Sequence, residues 1–76
     1  MNNLNQNVPE KLIALRGEKS QTEVAKAVGV SRSAICMYES GERVPRDEVK
    51  CKIADYYKKT VGEIFFDTDS QIVNRH

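Results

Sequence analysis

Two short helical segments joined by a single glycine turn constrain the fold of this chain more than any other feature of its sequence. Ser20 is a good N-cap for a helix over residues 21–28, and Gly29 follows where a helix end favours a left-handed residue. Ser31 is the N-cap of the next helix, which the pattern predicts over residues 32–40. Because so few residues separate the two helices, their axes are expected to cross at a large angle.

Proline and capping residues divide the rest of the chain into three more helices. Pro9 suits the first turn of a helix, and the extended step before Pro45 ends the region of the crossing pair. A fourth helix is predicted over about residues 46–58. Thr60, with Glu63 three residues later, is the N-cap of a last helix over residues 61–66. The predicted fold class is therefore all-α, a compact domain of five short helices in which the second and third form the crossing pair.

The chain of 76 residues is long enough for one small domain. The pattern predicts an N-terminal arm over residues 1–8, a helical domain over 9–66 and a polar tail over 67–76. Within the tail, residues 71–73 could add a short strand.

Charge and hydropathy exclude several classes of protein. Hydrophobic residues make up 39% of the chain and charged residues 30%, which is typical of a globular protein rather than a disordered one. The net charge is only +1, but residues 1–59 carry +3 and residues 60–76 carry −2, so an anionic partner is expected to meet the body. No apolar stretch approaches the roughly 18 residues of a membrane span.

The cysteines and the histidine offer little material for catalysis or metal binding. Cys36, Cys51 and His76 cannot build a disulfide framework or a four-ligand zinc site. We expect two reduced thiols in a cytoplasmic protein that has no cofactor, no metal and no enzymatic activity. Cys51 is expected to lie away from the apolar face of the fourth helix, where it could pack against the N-terminal segment.

The crossing pair carries the residue types that a close helix–helix contact requires. Ala25 must be small because the third helix passes over it, and Gly29 permits the positive φ of the turn. Ile35 and Tyr38 supply apolar contacts from the third helix. The second helix is expected to turn further apolar residues inward: Val24, Ala27 and Val28. Helix-turn-helix DNA readers use this arrangement, although any αα-corner also needs small residues at a crossing.

The third helix divides into an apolar face and a mixed outward face. At about 100° per residue, Arg32, Ser33, Cys36 and Met37 share the outward side. Arginine can bond guanine, serine can bond several bases, and methionine can contact a thymine methyl, so this face suits the major groove. The alternatives are that Arg32 is a solvated cation, that Cys36 is merely tolerated, and that Met37 is partly packed.

The whole stretch resembles a known family. The motif runs SQTEVAKAVGVSRSAICMYESGERVPRDEVKCKIADYY, and the match extends over roughly residues 10–66. It resembles the repressor and Cro-like helix-turn-helix family of bacterial and phage regulators, often called the xenobiotic-response-element family. The resemblance implies a five-helix domain that binds double-stranded DNA operators as a dimer.

The resemblance also implies roles for individual residues. Gln21 matches a helix-start residue that touches a DNA phosphate. Ser31, which precedes the third helix, is also predicted to contact a phosphate. Arg43 and Arg46 match the basic loop that follows the reading helix and contacts the DNA backbone. Glu42 departs from this pattern, because a basic residue is more typical there.

An ion pair between the first and third helices is common in the family. It would join Arg16 to Glu39 here, and Glu39 falls at the border of the apolar face. The alternative is a loose surface pair worth ~0–1 kcal/mol.

Dimerisation is predicted from the last helix. Val61, Ile64 and Phe65 share one face, whereas Phe66 points away from it. Phe66 is therefore a candidate dimer contact, unless it folds back onto the fourth helix.

Two functions of different classes fit these observations. The first is a transcriptional regulator, a repressor that binds a palindromic operator as a homodimer and occludes a promoter. The second is a protein-interaction module, such as an antitoxin that binds a toxin partner or another protein antagonist through the helix-turn-helix scaffold or the polar tail.

Overall fold

The computed structural model describes residues 7–66. It contains the following helices: α1 (Asn7–Arg16), α2 (Gln21–Val28), α3 (Arg32–Ser40), α4 (Asp47–Tyr57) and α5 (Gly62–Phe66). The all-α, five-helix prediction is confirmed for this part of the chain. The predicted tail, the strand at residues 71–73 and most of the predicted arm lie outside the described residues.

Local side-chain and backbone hydrogen bonds define the α2–α3 turn. Ser20 Oγ accepts from the backbone N–H of Glu23 at 3.0 Å, and Ser31 Oγ accepts from that of Ala34 at 3.0 Å. Gly29 has φ 88° and donates its N–H to the carbonyl of Ala25 at 2.8 Å. Both predicted caps and the left-handed glycine are therefore confirmed, and they end α2 and begin α3 at the predicted residues.

One core joins the helices. α2 packs against α3 and α4, and α1 packs against α3 and α5. The buried apolar side chains are Leu12, Val24, Ala25, Val28, Ala34, Ile35, Tyr38, Ile53, Ala54, Ile64 and Phe65. The prediction that Ala27 faces inward is wrong, because Ala27 is exposed. It lies about 60° beyond the arc that Val24, Val28 and Ala25 occupy, so the core does not reach it.

The last helix differs from its prediction in form. Thr60 and Glu63 make the predicted reciprocal capping box, with N···O distances of 2.8 and 3.0 Å. The bond from the Thr60 N–H lowers the pKa of the Glu63 carboxyl. The turn that follows, Gly62–Phe66, is π-helical, so its hydrogen bonds span one residue more than those of an α-helix. Ile64 and Phe65 are buried, whereas Phe66 is 49% exposed.

Tyr57 gives the fold a pH dependence at alkaline pH. Burial, followed by the negative charge of Glu39, raises the pKa of Tyr57 from 10.0 to about 12. The folded state thus favours the neutral phenol, and its contribution to stability is complete below about pH 10 and is lost as the pH rises to about 12. We expect the melting temperature to fall over this range, and the fall to be smaller in Tyr57→Phe. Circular dichroism melts measure this, with Tyr56→Phe as the hydroxyl-deletion control. Equal falls in both variants would contradict the assignment.

Candidate nucleic-acid interface

The two faces of α3 differ in exposure as the helical angles predict. Arg32, Ser33 and Cys36 are exposed, and Met37 is partly buried. On the other side lie the buried residues of this helix: Ala34, Ile35, Tyr38 and Glu39. The helix therefore presents a continuous mixed face to solvent, with an arginine, a serine and a thiol at its N-terminal end. The partial burial of Met37 means that packing restrains this side chain more than its three neighbours on the face.

The helix α2 packs against the buried face of α3. Ala25 is 3% exposed, Ile35 is 3% exposed and Tyr38 is 6% exposed, so the crossing of the two helices excludes water. A larger side chain at Ala25 would meet a packed core, in which extra methylene groups are destabilising. This packing holds α3 against α2 through its buried face, so Arg32, Ser33 and Cys36 on the exposed face take no part in the core.

The candidate phosphate contacts occupy segments on either side of α3. Arg43 and Arg46 are exposed in the loop between α3 and α4, and Glu42 is exposed beside them. Ser31 Oγ accepts the capping bond from Ala34, so its hydroxyl proton can still be donated to an anion. Gln21, the first residue of α2, is partly exposed.

A two-bond ion pair joins the ends of α1 and α3. Arg16 Nε donates to Glu39 Oε2 at 2.7 Å, and Arg16 Nη2 donates to Glu39 Oε1 at 3.1 Å. The Glu39 side chain is 7% exposed and that of Arg16 is 20% exposed. The hydrogen bond to Glu39 raises the pKa of Arg16, so the guanidinium stays charged. The partly buried pair is therefore confirmed, and the alternative of a loose surface pair is wrong.

Two further hydrogen bonds, one of Glu39 and one of Arg16, were not predicted from the sequence. Gln21 Nε2 donates to Glu39 Oε1 at 3.0 Å, and Arg16 Nη1 donates to the backbone carbonyl of Lys19 at 2.7 Å. Both bonds converge on the segment that precedes and begins α2. Gln21 and Glu39 are 18 positions apart in the sequence, and only the crossing of α2 and α3 brings their side chains together.

The remaining sequence predictions concern thiols, metals and membranes. Cys36 and Cys51 are both free and exposed. The suggested packing of Cys51 against the N-terminal segment stays a prediction, because most of that segment lies outside the described residues. Over residues 7–66 no three metal-ligating side chains cluster together. None of the helices in that range is both long enough and apolar enough to cross a membrane.

Comparison with known proteins agrees with this geometry. The model of a family described as Helix-turn-helix matches residues 12–64. The chain is also similar to the cryptic phage CTXphi transcriptional repressor RstR of Vibrio cholerae, with 33% identity over 64 residues. That alignment covers 82% of this chain but 58% of the relative, so the chain spans less than two thirds of the relative's length. No solved structure matches the chain significantly.

Proposed function

The chain belongs to the helix-turn-helix family, and on this premise we propose that it is a transcriptional regulator that binds double-stranded DNA in a sequence-specific way. The family match confirms the resemblance that the motif predicts. The proposed regulator is a cytoplasmic repressor that occludes a promoter. Its similarity to a transcriptional repressor of Vibrio cholerae supports the repressor role. The family is one of DNA-binding regulators and not an enzyme class.

The exposed face of α3 is the observation that carries this proposal. Arg32, Ser33 and Cys36 are exposed at the start of the helix, and Met37 borders them. In this type of domain the N-terminal residues of the second helix of the motif contact base edges in the major groove. We assign Arg32 to guanine and Ser33 to a neighbouring base, because these side chains can donate or accept at base edges.

The phosphate contacts frame that reading face. Arg43 and Arg46 supply positive charge from the loop after α3, and Gln21 and Ser31 supply neutral donors from the starts of α2 and α3. Phosphate contacts set the register of the protein on the duplex, whereas base contacts specify the sequence. In the proposed complex, the loop and the helix starts therefore contribute affinity for DNA of any sequence, and α3 determines the sequence specificity.

The proposed binding unit is a homodimer on a palindromic operator. One reading helix covers only a few base pairs, and two half-sites about 34 Å apart would give useful specificity. Phe66 is the candidate dimer contact, since this aromatic side chain is 49% exposed at the end of α5. Its ring centre also lies 4.8 Å from Lys50 Nζ of α4, and the exposed part of the ring could contact a second copy.

Selection from a random pool of duplexes tests the proposal directly. We expect the purified chain to enrich an inverted repeat at moderate salt. Arg32→Ala should then weaken binding to the enriched duplex by about 5- to 150-fold for each half-site, the equivalent of ~1–3 kcal/mol for one lost bidentate base contact, and the dimer loses one such contact at each of its two half-sites. Binding to a shuffled duplex should change much less, because the phosphate contacts remain.

Lys52→Ala is the matched control, since it removes an exposed cation of α4 that is not among the proposed contacts. Equal losses for Arg32→Ala on both duplexes would contradict base reading by α3. No enrichment with folded protein would contradict DNA binding itself and favour the protein-interaction function, for which a partner pull-down is the next experiment.

A further inference from the structure

Three helices contribute one polar side chain each to a single hydrogen-bonded cluster at the edge of the core. Glu39 comes from the last turn of α3, Arg16 from the end of α1, and Gln21 from the start of α2. We call these three residues the Glu39 cluster. The cluster joins Glu39, which belongs to the helix proposed to read bases, to Gln21, which is proposed to bind phosphate. It can therefore couple base reading to phosphate binding.

The carboxylate of Glu39 dictates which way the amide of Gln21 is turned. A carboxylate can only accept hydrogen bonds, so Gln21 must offer its NH2 group, and not its carbonyl oxygen, to Glu39 Oε1 at 3.0 Å. Arg16 holds the same carboxylate by two bonds, which prevents Glu39 from following any movement of Gln21. Because the NH2 group has two protons and the bond to Glu39 uses one, the second can be donated to an acceptor outside the cluster.

Arg16 also fixes the backbone that leads into α2. Its Nη1 donates to the carbonyl of Lys19 at 2.7 Å, two residues before Gln21. The first backbone N–H groups of a helix have no acceptor within the helix and are suited to bind an anion. The cluster thus holds both the side chain of Gln21 and the helix start that carries it.

We propose that Glu39, clamped by Arg16, is a positioning residue that aims the amide of Gln21 at a DNA phosphate. This inference rests on the proposed DNA-binding function and adds to it a residue that does not touch DNA. Without the carboxylate, the Gln21 amide can exchange the places of its NH2 group and its carbonyl oxygen, and an oxygen in the place of the NH2 group would repel a phosphate. Glu39 therefore acts on affinity through Gln21, and its removal has no further effect once Gln21 is gone.

A double-mutant cycle with Glu39→Gln and Gln21→Ala tests this dependence. The probe is the duplex enriched in the random-pool selection, and fluorescence anisotropy gives the dissociation constant. We expect Gln21→Ala to weaken binding about tenfold or more, as for a lost hydrogen bond to a charged group. Glu39→Gln should cause a loss of similar size, and the double variant should bind no more weakly than Gln21→Ala alone. The slope of affinity against salt should stay unchanged, because Gln21 carries no charge.

Glu42→Gln is the matched control for the chemistry of the substitution. This exposed glutamate lies three residues after Glu39, next to Arg43, and its neutralisation should leave binding equal or tighter. Multiplicative losses from Glu39→Gln and Gln21→Ala would show that Glu39 acts independently of Gln21 and would overturn the proposal. If the wild-type chain binds no duplex, the proposed function fails as well, which is a different result from binding with independent losses.

The free protein provides a second readout that does not involve DNA. In the wild type, the bond to Glu39 should displace the NMR shift of a side-chain NH2 proton of Gln21 from its ordinary glutamine value, and the shift should return to that value in Glu39→Gln. Unchanged shifts would overturn the orienting role.

Should Glu39→Gln not fold, Arg16→Lys provides the second variant, because it keeps the charge and loses the two-bond clamp. It should weaken DNA binding in the wild-type background and not in Gln21→Ala. Failure of both variants to fold would assign the cluster to folding alone and would also overturn the proposal.

Discussion

Binding of this chain to DNA is expected to weaken about 10³-fold when the salt concentration rises from 50 to 200 mM. A dimer that neutralises about six phosphates releases the corresponding counterions, and the affinity then falls steeply with salt. Arg43 and Arg46 supply two of these charges in each subunit, with Lys19 or Lys26 as the third, and all four are exposed. Fluorescence anisotropy with a labelled duplex over a salt series measures the slope.

Substitutions separate the contribution of the loop from that of general charge. Arg43→Gln should lower the slope of log affinity against log salt by about two in the dimer, because one phosphate contact is lost in each subunit. Lys52→Gln makes the same change of charge on α4 and should leave the slope nearly unchanged. A wild-type slope near zero would remove the phosphate contacts from the proposal, and equal slopes for both variants would remove Arg43 from them.

Ile53→Ala is expected to have the largest effect on stability. Ile53 is 2% exposed and is one of the largest fully buried side chains among the described residues, on the helix that packs against α2. Truncation of a buried isoleucine to alanine costs about 2–5 kcal/mol. A domain has only about 5–15 kcal/mol in total, so we expect the melting temperature to fall by about 10 °C or more. Circular dichroism melts at neutral pH measure the fall.

The chain contains a matched control for this truncation. Ile13 is also an isoleucine within a helix, but it is 47% exposed. Ile13→Ala should change the free energy of unfolding by only about 0.5 kcal/mol, since exposed positions away from special contacts tolerate substitution. Similar losses in both variants would show that burial in the α4 interface does not govern stability in this domain.

The limits of helices α2 and α3 could be predicted because the deciding contacts are local. Ser20, Ser31 and Gly29 act on backbone groups within four residues of themselves, so the sequence pattern contains the whole interaction. The exposed face of α3 could be predicted for the same reason, since its periodicity depends only on the helix. The prediction for Ala27 was wrong because the burial of a side chain depends on how far the neighbouring helices extend, and no local pattern records that extent.

The form of the last helix illustrates the same limit. The capping box of Thr60 and Glu63 was predictable from spacing, but the π-helical turn after it was not. The ammonium of Lys50 lies 5.7 Å from the Phe65 ring centre and 4.8 Å from that of Phe66. Phe66 thus contacts Lys50 of α4 and remains 49% exposed, and its role as a dimer contact stays a prediction.

By itself the sequence determined the five helical segments, the tight turn at Gly29, the outward residues of α3 and the family. Each of these depends on side-chain types at short, regular spacing, which the local backbone converts into structure. The family resemblance predicted the pair of Glu39 with Arg16, 23 positions away, and the tertiary structure confirmed it. Only the tertiary structure decided that Glu39 also binds Gln21, 18 positions away. Contacts over such separations depend on the angles at which helices cross, and those angles are set by the packing of the whole core.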